Sequence, residues 1–260
     1  MNSLSFCSIS DMHIKGPEDP YYPFLLDFMD TIECKEAKYI IFLGDIFDLM
    51  VGSYLQNLII YESFFDKLAD LIKSGKVIHY VEGNHDFHLE NLFLKFSDKY
   101  KLPKSKMIYS RYYFKLQDSK KMFYIAHGDW EDETNTSYIQ YKRFITSRFV
   151  YFLTRYIVTF SIVQLLGNYF SKKSRENNTK KYTDSGEQEK VKNKVLAMVE
   201  KIVVRDSYDY IILGHSHIEE NITIKGSIYA NNGFFKKTQK FISYKDGNIS
   251  LVKIKSAYQE

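Results

Sequence analysis

Cysteine is scarce: Cys7 and Cys34 are the only two in 260 residues. Neither lies in a Cys-x-x-Cys pair or a zinc-knuckle spacing, so two free thiols in a reducing compartment are expected rather than a disulfide framework. Long apolar runs are also missing. The longest uncharged stretch, residues 156–171, is interrupted by Gln164 and Asn168. It falls short of the roughly 20 apolar residues that span a bilayer, which excludes a transmembrane helix there but not a membrane-surface contact. The N-terminus has no basic region followed by an apolar stretch, so no signal peptide is read and a cytoplasmic protein is expected. There is no internal repeat and no low-complexity tract. No charge sign dominates strongly either. A net charge of +4 favours an anionic partner and is too weak to indicate DNA.

What is present suits one αβ domain carrying an insertion. A hydrophobic content of 45% marks a globular chain, and 17% aromatics favour an apolar ligand or membrane surface. Strands are expected at 4–9, 39–43, 77–81 and 210–213, the second a continuous apolar run of the kind buried on both faces. Helical spacing covers 21–34, 55–72 and 89–100. Residues 107–116 and 122–126 read as a strand pair around a turn near Asp118-Ser119. Three short strands follow, near 222–224, 241–244 and 249–254, with Asp246-Gly247 a hairpin signal between the last two. Between them the pattern changes. Residues 138–170 are helical, rich in Phe, Tyr, Ile and Leu, and hold no acidic residue; 171–186 are polar and 188–204 helical again. Residues 131–200 are therefore expected to form an inserted helical cap on a core of 1–130 and 201–260.

Five expected strand ends release metal-type ligands: Asp11 with His13, Asp45, Asn84 with His85, His127, and His215 with His217. Ligand sites in αβ sheets form outside the carboxyl ends of strands. Each element alone is weak, since a Gly-Asp after a strand is usually a turn. The joint pattern is specific: of seven histidines, only His79 and His88 fall outside it, and His79 reads as a packed or surface residue inside a strand. Carboxylate, imidazole and amide oxygen without thiolate suit Mn²⁺, Fe²⁺ or Zn²⁺ in a catalytic role. Asp45 has two oxygens with which to bridge two metals, and a pair about 3.5–4 Å apart polarises a phosphoryl group. His85 is a candidate to stabilise or protonate a departing oxygen, with Asp86 expected to orient its imidazole.

The motifs Asp11-Met12-His13, Gly44-Asp45 with Asp48, Gly83-Asn84-His85-Asp86, His127-Gly128-Asp129 and Gly214-His215-Ser216-His217 resemble those of the calcineurin-like metallophosphoesterases. The resemblance covers nearly the whole chain in order. It implies a four-layer αββα sandwich in the α/β class. It assigns one divalent metal, Mn²⁺ first, to Asp11, His13, Asp45 and His217, and a second to Asp45, Asn84, His127 and His215. Within the insertion, Asn135-Thr136-Ser137-Tyr138, the aromatic and basic helical segment and Ser174-x-x-x-Asn178-x-x-Lys181 look like the UDP-2,3-diacylglucosamine hydrolases of lipid A synthesis. That likeness implies substrate contacts from Ser174, Asn178 and Lys181, besides Asn84, His85, Asn135 and His215. In the best-known branch an arginine stands where this chain has His85, and an aspartate where it has Asn135.

The implied reaction is hydrolysis of the UDP-2,3-diacylglucosamine pyrophosphate to UMP and 2,3-diacylglucosamine 1-phosphate. The implied partners are this nucleotide-sugar lipid and an anionic membrane surface, with peripheral association at the inner membrane. No nucleic acid and no obligate protein partner are expected. Phe144, Phe149, Phe152, Leu153, Ile157 and Val158 are candidates for an acyl-chain groove, and Arg148, Arg155, Lys172 and Lys173 for lipid head groups. Taken singly, each aromatic is expected in the interior, where large apolar side chains mostly lie. Two other readings compete: a phosphoesterase for another nucleotide, nucleic-acid or phosphoprotein ester, and a non-catalytic scaffold, which the intact ligand set disfavours.

Overall fold

The alternation of apolar residues along the central strands decides the layering. In the computed structural model, which describes residues 4–131, 136–165, 167 and 185–255, a six-stranded sheet runs in the order β13-β12-β1-β2-β4-β6 and a five-stranded sheet in the order β10-β11-β9-β8-β7. The first holds β1 (Phe6–Ile9), β2 (Tyr39–Leu43), β4 (Val77–Val81), β6 (Met107–Ser110), β12 (Lys240–Lys245) and β13 (Asn248–Lys253). The second holds β7 (Tyr113–Asp118), β8 (Lys121–Ala126), β9 (Tyr210–Leu213), β10 (Glu219–Ile224) and β11 (Ser227–Asn232).

Successive strand side chains face opposite ways. Ile40 and Phe42 of β2 accordingly pack under helices α1 (Tyr22–Asp30) and α4 (Glu62–Lys73), while Ile41 and Leu43 face the second sheet. On β8, Phe123 and Ile125 fill the space between the sheets, and Tyr124 and Ala126 meet Val199, Ile202 and Val203 of the long helix Ser185–Asp206. The result is helix, sheet, sheet, helix: the α/β four-layer sandwich that the motifs imply. Phe123 anchors the middle, with ring centroids 4.4 Å from Tyr210, 4.8 Å from Tyr244 and 5.6 Å from Phe6.

Three expectations change. Residues 107–116 are not one strand of a hairpin. Met107–Ser110 joins β4 in the first sheet, and Tyr113–Asp118 crosses to pair with β8 in the second. The turn between them lets one apolar run serve both sheets. The helical run 21–34 breaks at Thr31, whose extended backbone and hydroxyl cap a second helix, α2 (Ile32–Glu36). The run 55–72 likewise divides at Tyr61 into α3 (Gln56–Ile60) and α4. Strand β11 was not expected at all.

After β8 come α6 (Thr136–Ile145) and α7 (Arg148–Tyr156), divided at Ser147, whose hydroxyl accepts from the Val150 amide at 3.3 Å, and a helical turn over 160–165. The aromatics here do not follow the interior rule: Phe144, Phe149, Phe152 and Ile157 are 51–62% exposed. Among the described residues, no helix is long and apolar enough to cross a membrane.

His79 of β4 is buried against Phe114, their rings stacked at 4.3 Å. Burial lowers its pKa from 6.5 to about 4. The unfolded chain therefore binds a proton there that the folded chain refuses, and stability falls as pH drops through the window from 6.5 toward 4. Urea unfolding at pH 7 and pH 5 should show about 2 kcal/mol of acid destabilisation from this residue. A His79→Phe variant should lose that part of the pH dependence.

Candidate metal centre

The loops after β1 and β2 leave their strands side by side. The amides of Asp11, His13 and Ile14 donate to the carbonyls of Gly44, Asp45 and Ile46 at 3.2, 3.0 and 3.0 Å. The loops after β4, β8 and β9 reach the same pole. His127 Nδ1 donates to the Leu43 carbonyl at 2.8 Å, and the His215 amide donates to Asp11 Oδ2 at 3.0 Å. The sequence-derived ligands on these five loops thus come together in three overlapping groups. Asp11, His13 and His217 form one, His13, Asp45 and His85 a second, and Asp45, His127 and His215 a third.

Asp45 sits between the groups. Its Oδ1 accepts from the Asn84 and His85 amides at 2.8 and 2.9 Å. Its Oδ2 faces His127 Nε2 at 3.5 Å on one side and His13 Nε2 at 3.8 Å on the other. Glycine makes this approach possible, because a Cβ on Gly83 would lie 2.2 Å from Asp45 Oδ1. Asp11, His13, Asp45, His215 and His217 all have left-handed backbone, with φ between 49° and 63°. Such conformations cost of order 1–3 kcal/mol each and cluster at functional sites.

The electrostatics are those of buried acids surrounded by imidazoles. Burial is the largest influence on Asp45 and would raise its pKa, but His127, His85 and His13 together hold it well below the ordinary carboxylate range. Asp11 is lowered in the same way, against burial, by His217 and His127. Burial pushes His13 down to about 3 and His215 down to about 4, which keeps both imidazoles neutral as ligands require. For His127, burial works downward, yet Asp45 and its acidic neighbours raise it to about 10.

Three observations fit a pair of divalent cations. His127 Nε2 and Asn84 Oδ1 are buried without a hydrogen-bond partner, although a buried polar atom normally has one. His13 Nε2 and His217 Nε2 lie 3.2 Å apart, two ring nitrogens converging on one point. The donors are carboxylate, imidazole and amide oxygen, and both cysteines are buried in the first sheet's helical face.

Asp86 does not orient His85. Its carboxylate turns under the loops. Oδ1 accepts from the Asp45 and Gly83 amides at 2.9 and 3.0 Å, and Oδ2 from the Ile46 amide at 2.8 Å and the Tyr80 hydroxyl at 2.5 Å. Burial and the Asp45 charge raise its pKa to about 6. The strand-like step β5 (Asp86–Phe87), paired with β3 (Met50–Val51), fixes that direction. His85 is held instead by the Asp48 carbonyl, 2.9 Å from Nδ1. A carbonyl only accepts, so Nδ1 is the donor in this contact. Asn135, Ser174, Asn178 and Lys181, expected as substrate contacts, lie outside the described residues.

Several supporting residues were not expected. The Ser10 hydroxyl donates to Asp11 Oδ2 at 2.5 Å, and Asn232 Nδ2 donates to the Ser10 carbonyl at 3.2 Å. Asn231 Nδ2 donates to the Gly214 carbonyl at 2.9 Å. Phe234 stacks on His217 at 4.9 Å. From α6, Tyr138 donates to Asp129 Oδ2 at 3.2 Å, its ring 5.7 Å from that of His215, and Lys142 enters the interior. The run Ser227–Asn232 ending in Asn-Asn-Gly carried the same strand-end signal as the ligands; Tyr138 and Lys142 lie in and just after the Asn135-Thr136-Ser137-Tyr138 motif, but nothing local marked them as supports of the ligand loops.

Residues 4–219 match a family described as calcineurin-like phosphoesterase. A UDP-2,3-diacylglucosamine hydrolase of Histophilus somni (strain 2336) is 23% identical over 214 residues, 82% of this chain and 84% of that protein. One from Hamiltonella defensa is 27% identical over 220 residues, covering 82% and 77%. For a third, from Haemophilus influenzae (strain PittGG), the chain is 29% identical over 139 residues and spans about half that relative's length, 53%. Among solved structures, a chain described as a novel archaeal phosphodiesterase aligns over 96% of this chain and 99% of its own at 12% identity, with a TM-score of 0.49.

Two substitutions separate holding the site from using it. Asp86→Ala should lower stability by about 2–4 kcal/mol in urea unfolding and abolish metal uptake, because buried amides of both loops lose their acceptor. His85→Ala should leave unfolding and metal stoichiometry near wild type while slowing turnover about 10²–10⁴-fold.

Proposed function

The chain belongs to the calcineurin-like phosphoesterase family, and on that footing we propose that it hydrolyses the pyrophosphate of UDP-2,3-diacylglucosamine to UMP and 2,3-diacylglucosamine 1-phosphate in lipid A biosynthesis. One observation carries this choice among phosphate esters. Beside the candidate metal pole, α6, α7 and the residue after them expose Phe144, Phe149, Phe152 and Ile157 together with Arg143, Arg148 and Arg155. A free nucleotide or a phosphoprotein needs no such face, whereas an anionic, acylated substrate does. The relatives named for this activity support the same reading.

In this reading residues 131–200 act as a cap, and two divalent cations, Mn²⁺ first, occupy the pole. Asp11, His13, Asp45 and His217 would hold one, and Asp45, Asn84, His127 and His215 the other. When bound, such a pair withdraws charge from the phosphoryl oxygens. The buried carboxylates keep their charge because imidazoles surround them, and Asp45, facing both His13 and His127, would contribute to both positions. His85, tethered at Nδ1, presents Nε2 toward the departing oxygen, where its protonated form donates a proton. Water attacks the phosphorus next to uridine, the bond to the bridging oxygen breaks, and the lipid leaves with its 1-phosphate. Asn84, His85 and His215 at the pole and Asn135, Ser174, Asn178 and Lys181 of the cap are the proposed substrate contacts. The exposed apolar and cationic face suits a protein held peripherally on the cytoplasmic side of an anionic inner membrane.

The test is incubation of purified protein with Mn²⁺ and UDP-2,3-diacylglucosamine in ¹⁸O-water, with both products followed by mass spectrometry and Asp45→Ala as the blank. Asp45-dependent release of ¹⁸O-labelled UMP and unlabelled lipid 1-phosphate is expected. Cleavage of a simple phosphodiester without turnover of the lipid would discard the substrate and keep the metal site.

A further inference from the structure

Lys142 has no part in the ligand set, yet it is fully buried. It leaves α6 and reaches between two of the ligand-bearing loops. Its Nζ donates to the Gly83 carbonyl at 2.5 Å and pairs with Asp129 Oδ2 at 2.7 Å. Gly83 directly precedes Asn84, and Asp129 stands two residues after His127. The same Asp129 oxygen accepts the Tyr138 hydroxyl from one helical turn earlier, and that ring faces His215. One ammonium thus ties together the loops that carry Asn84 and His127, and the helix behind it walls His215.

The other group of ligands is supported differently. Asp11 is held by Ser10 and the His215 amide, Ser10 by Asn232, and His217 is covered by Phe234. All of these belong to β1, β9, β11 and the loops that leave them; none comes from α6 or α7.

We propose that Lys142 is a positioning residue that makes the cation position of Asn84, His127 and His215 depend on the docking of α6, while the position of Asp11, His13 and His217 does not depend on it. This rests on the two-cation reading given above. The physical reason is that a buried carbonyl and a buried carboxylate, once deprived of their shared cation, must find other partners, and both lie on the short loops that aim Asn84 and His127. Partners of this kind, one step removed from a metal, typically change affinity 10–100-fold when lost.

The experiment is calorimetric titration of the metal-free full chain with Mn²⁺. Wild type, Lys142→Met and the double variant Lys142→Met/Asp129→Asn are compared, with thermal unfolding of each metal-free protein alongside. The double variant removes both buried charges, so it reports even if the single variant is poorly folded. Wild type is expected to take up two equivalents. In the variants one equivalent should keep its affinity within about threefold and the other should weaken 10–100-fold. Two unchanged equivalents in a folded variant would overturn the proposal. Equal weakening of both would also overturn it, since a purely structural lysine acts on the whole pole. A wild-type protein that binds one equivalent would overturn the two-cation reading itself, and this inference with it.

Discussion

Asp45 is the constraint on which the pole depends. A carboxylate buried beside other acids is stable only if its charge is answered, and here each oxygen is answered separately. The amides of Asn84 and His85 take Oδ1. Oδ2 is left facing His13 and His127, one from each sheet. That division requires the loops after β2 and β4 to stay in register. Asp86 keeps them there by accepting amides from both. One carboxylate clamps the loops from below so that another can face the site from above.

The pole stores unfavourable energy that the sandwich must offset. Five of its residues hold left-handed backbone, and its carboxylates and imidazoles are buried. The offset comes from apolar layers on both sides of each sheet. Phe6, Phe123, Tyr210 and Tyr244 interlock between the sheets, and Phe28, Phe42 and Phe64 lie under the first helical layer. Full burial of side chains of this kind contributes about 1.5–3 kcal/mol each, enough for a handful to outweigh the strain at the loops.

In the proposed reading, chemistry and specificity occupy different parts of the chain. The ligands sit on strand ends, which are rigid because ladders hold them. On the same reading, the segment that chooses a substrate is the helical insertion, which meets the core at polar contacts among others. Lys142 reaches Gly83 and Asp129, and His88 lies 3.0 Å from the Ile145 carbonyl. A family that hydrolyses many phosphate esters on one core is expected to vary in that second part.

The residues that meet at the candidate site were legible in the sequence because they are punctuated by the strands themselves. An apolar run that ends in Asp, Asn or His before a turn announces both a strand and what it carries. The four-layer order followed from the same motifs, and the strict alternation in β2 and β8 then realised it. Other features depended on distance in space. The division of 107–116 between two sheets, the pairing of Ser227–Asn232 and the downward turn of Asp86 follow from which backbone donors lie nearby, and no local pattern encodes that. By type the aromatics of α6 and α7 belong in the interior, yet Phe144, Phe149 and Phe152 are exposed, with no layer beyond those helices among the described residues. Lys142 shows the limit most clearly. In sequence it is one cation in a basic helix, and only the packing of that helix against Gly83 and Asp129 makes it a buried tie between two ligand loops. Strand ends and ligand types were set by residue order; the partners of each buried charge were set by the fold, because a charge is answered by whatever the chain brings within hydrogen-bond reach.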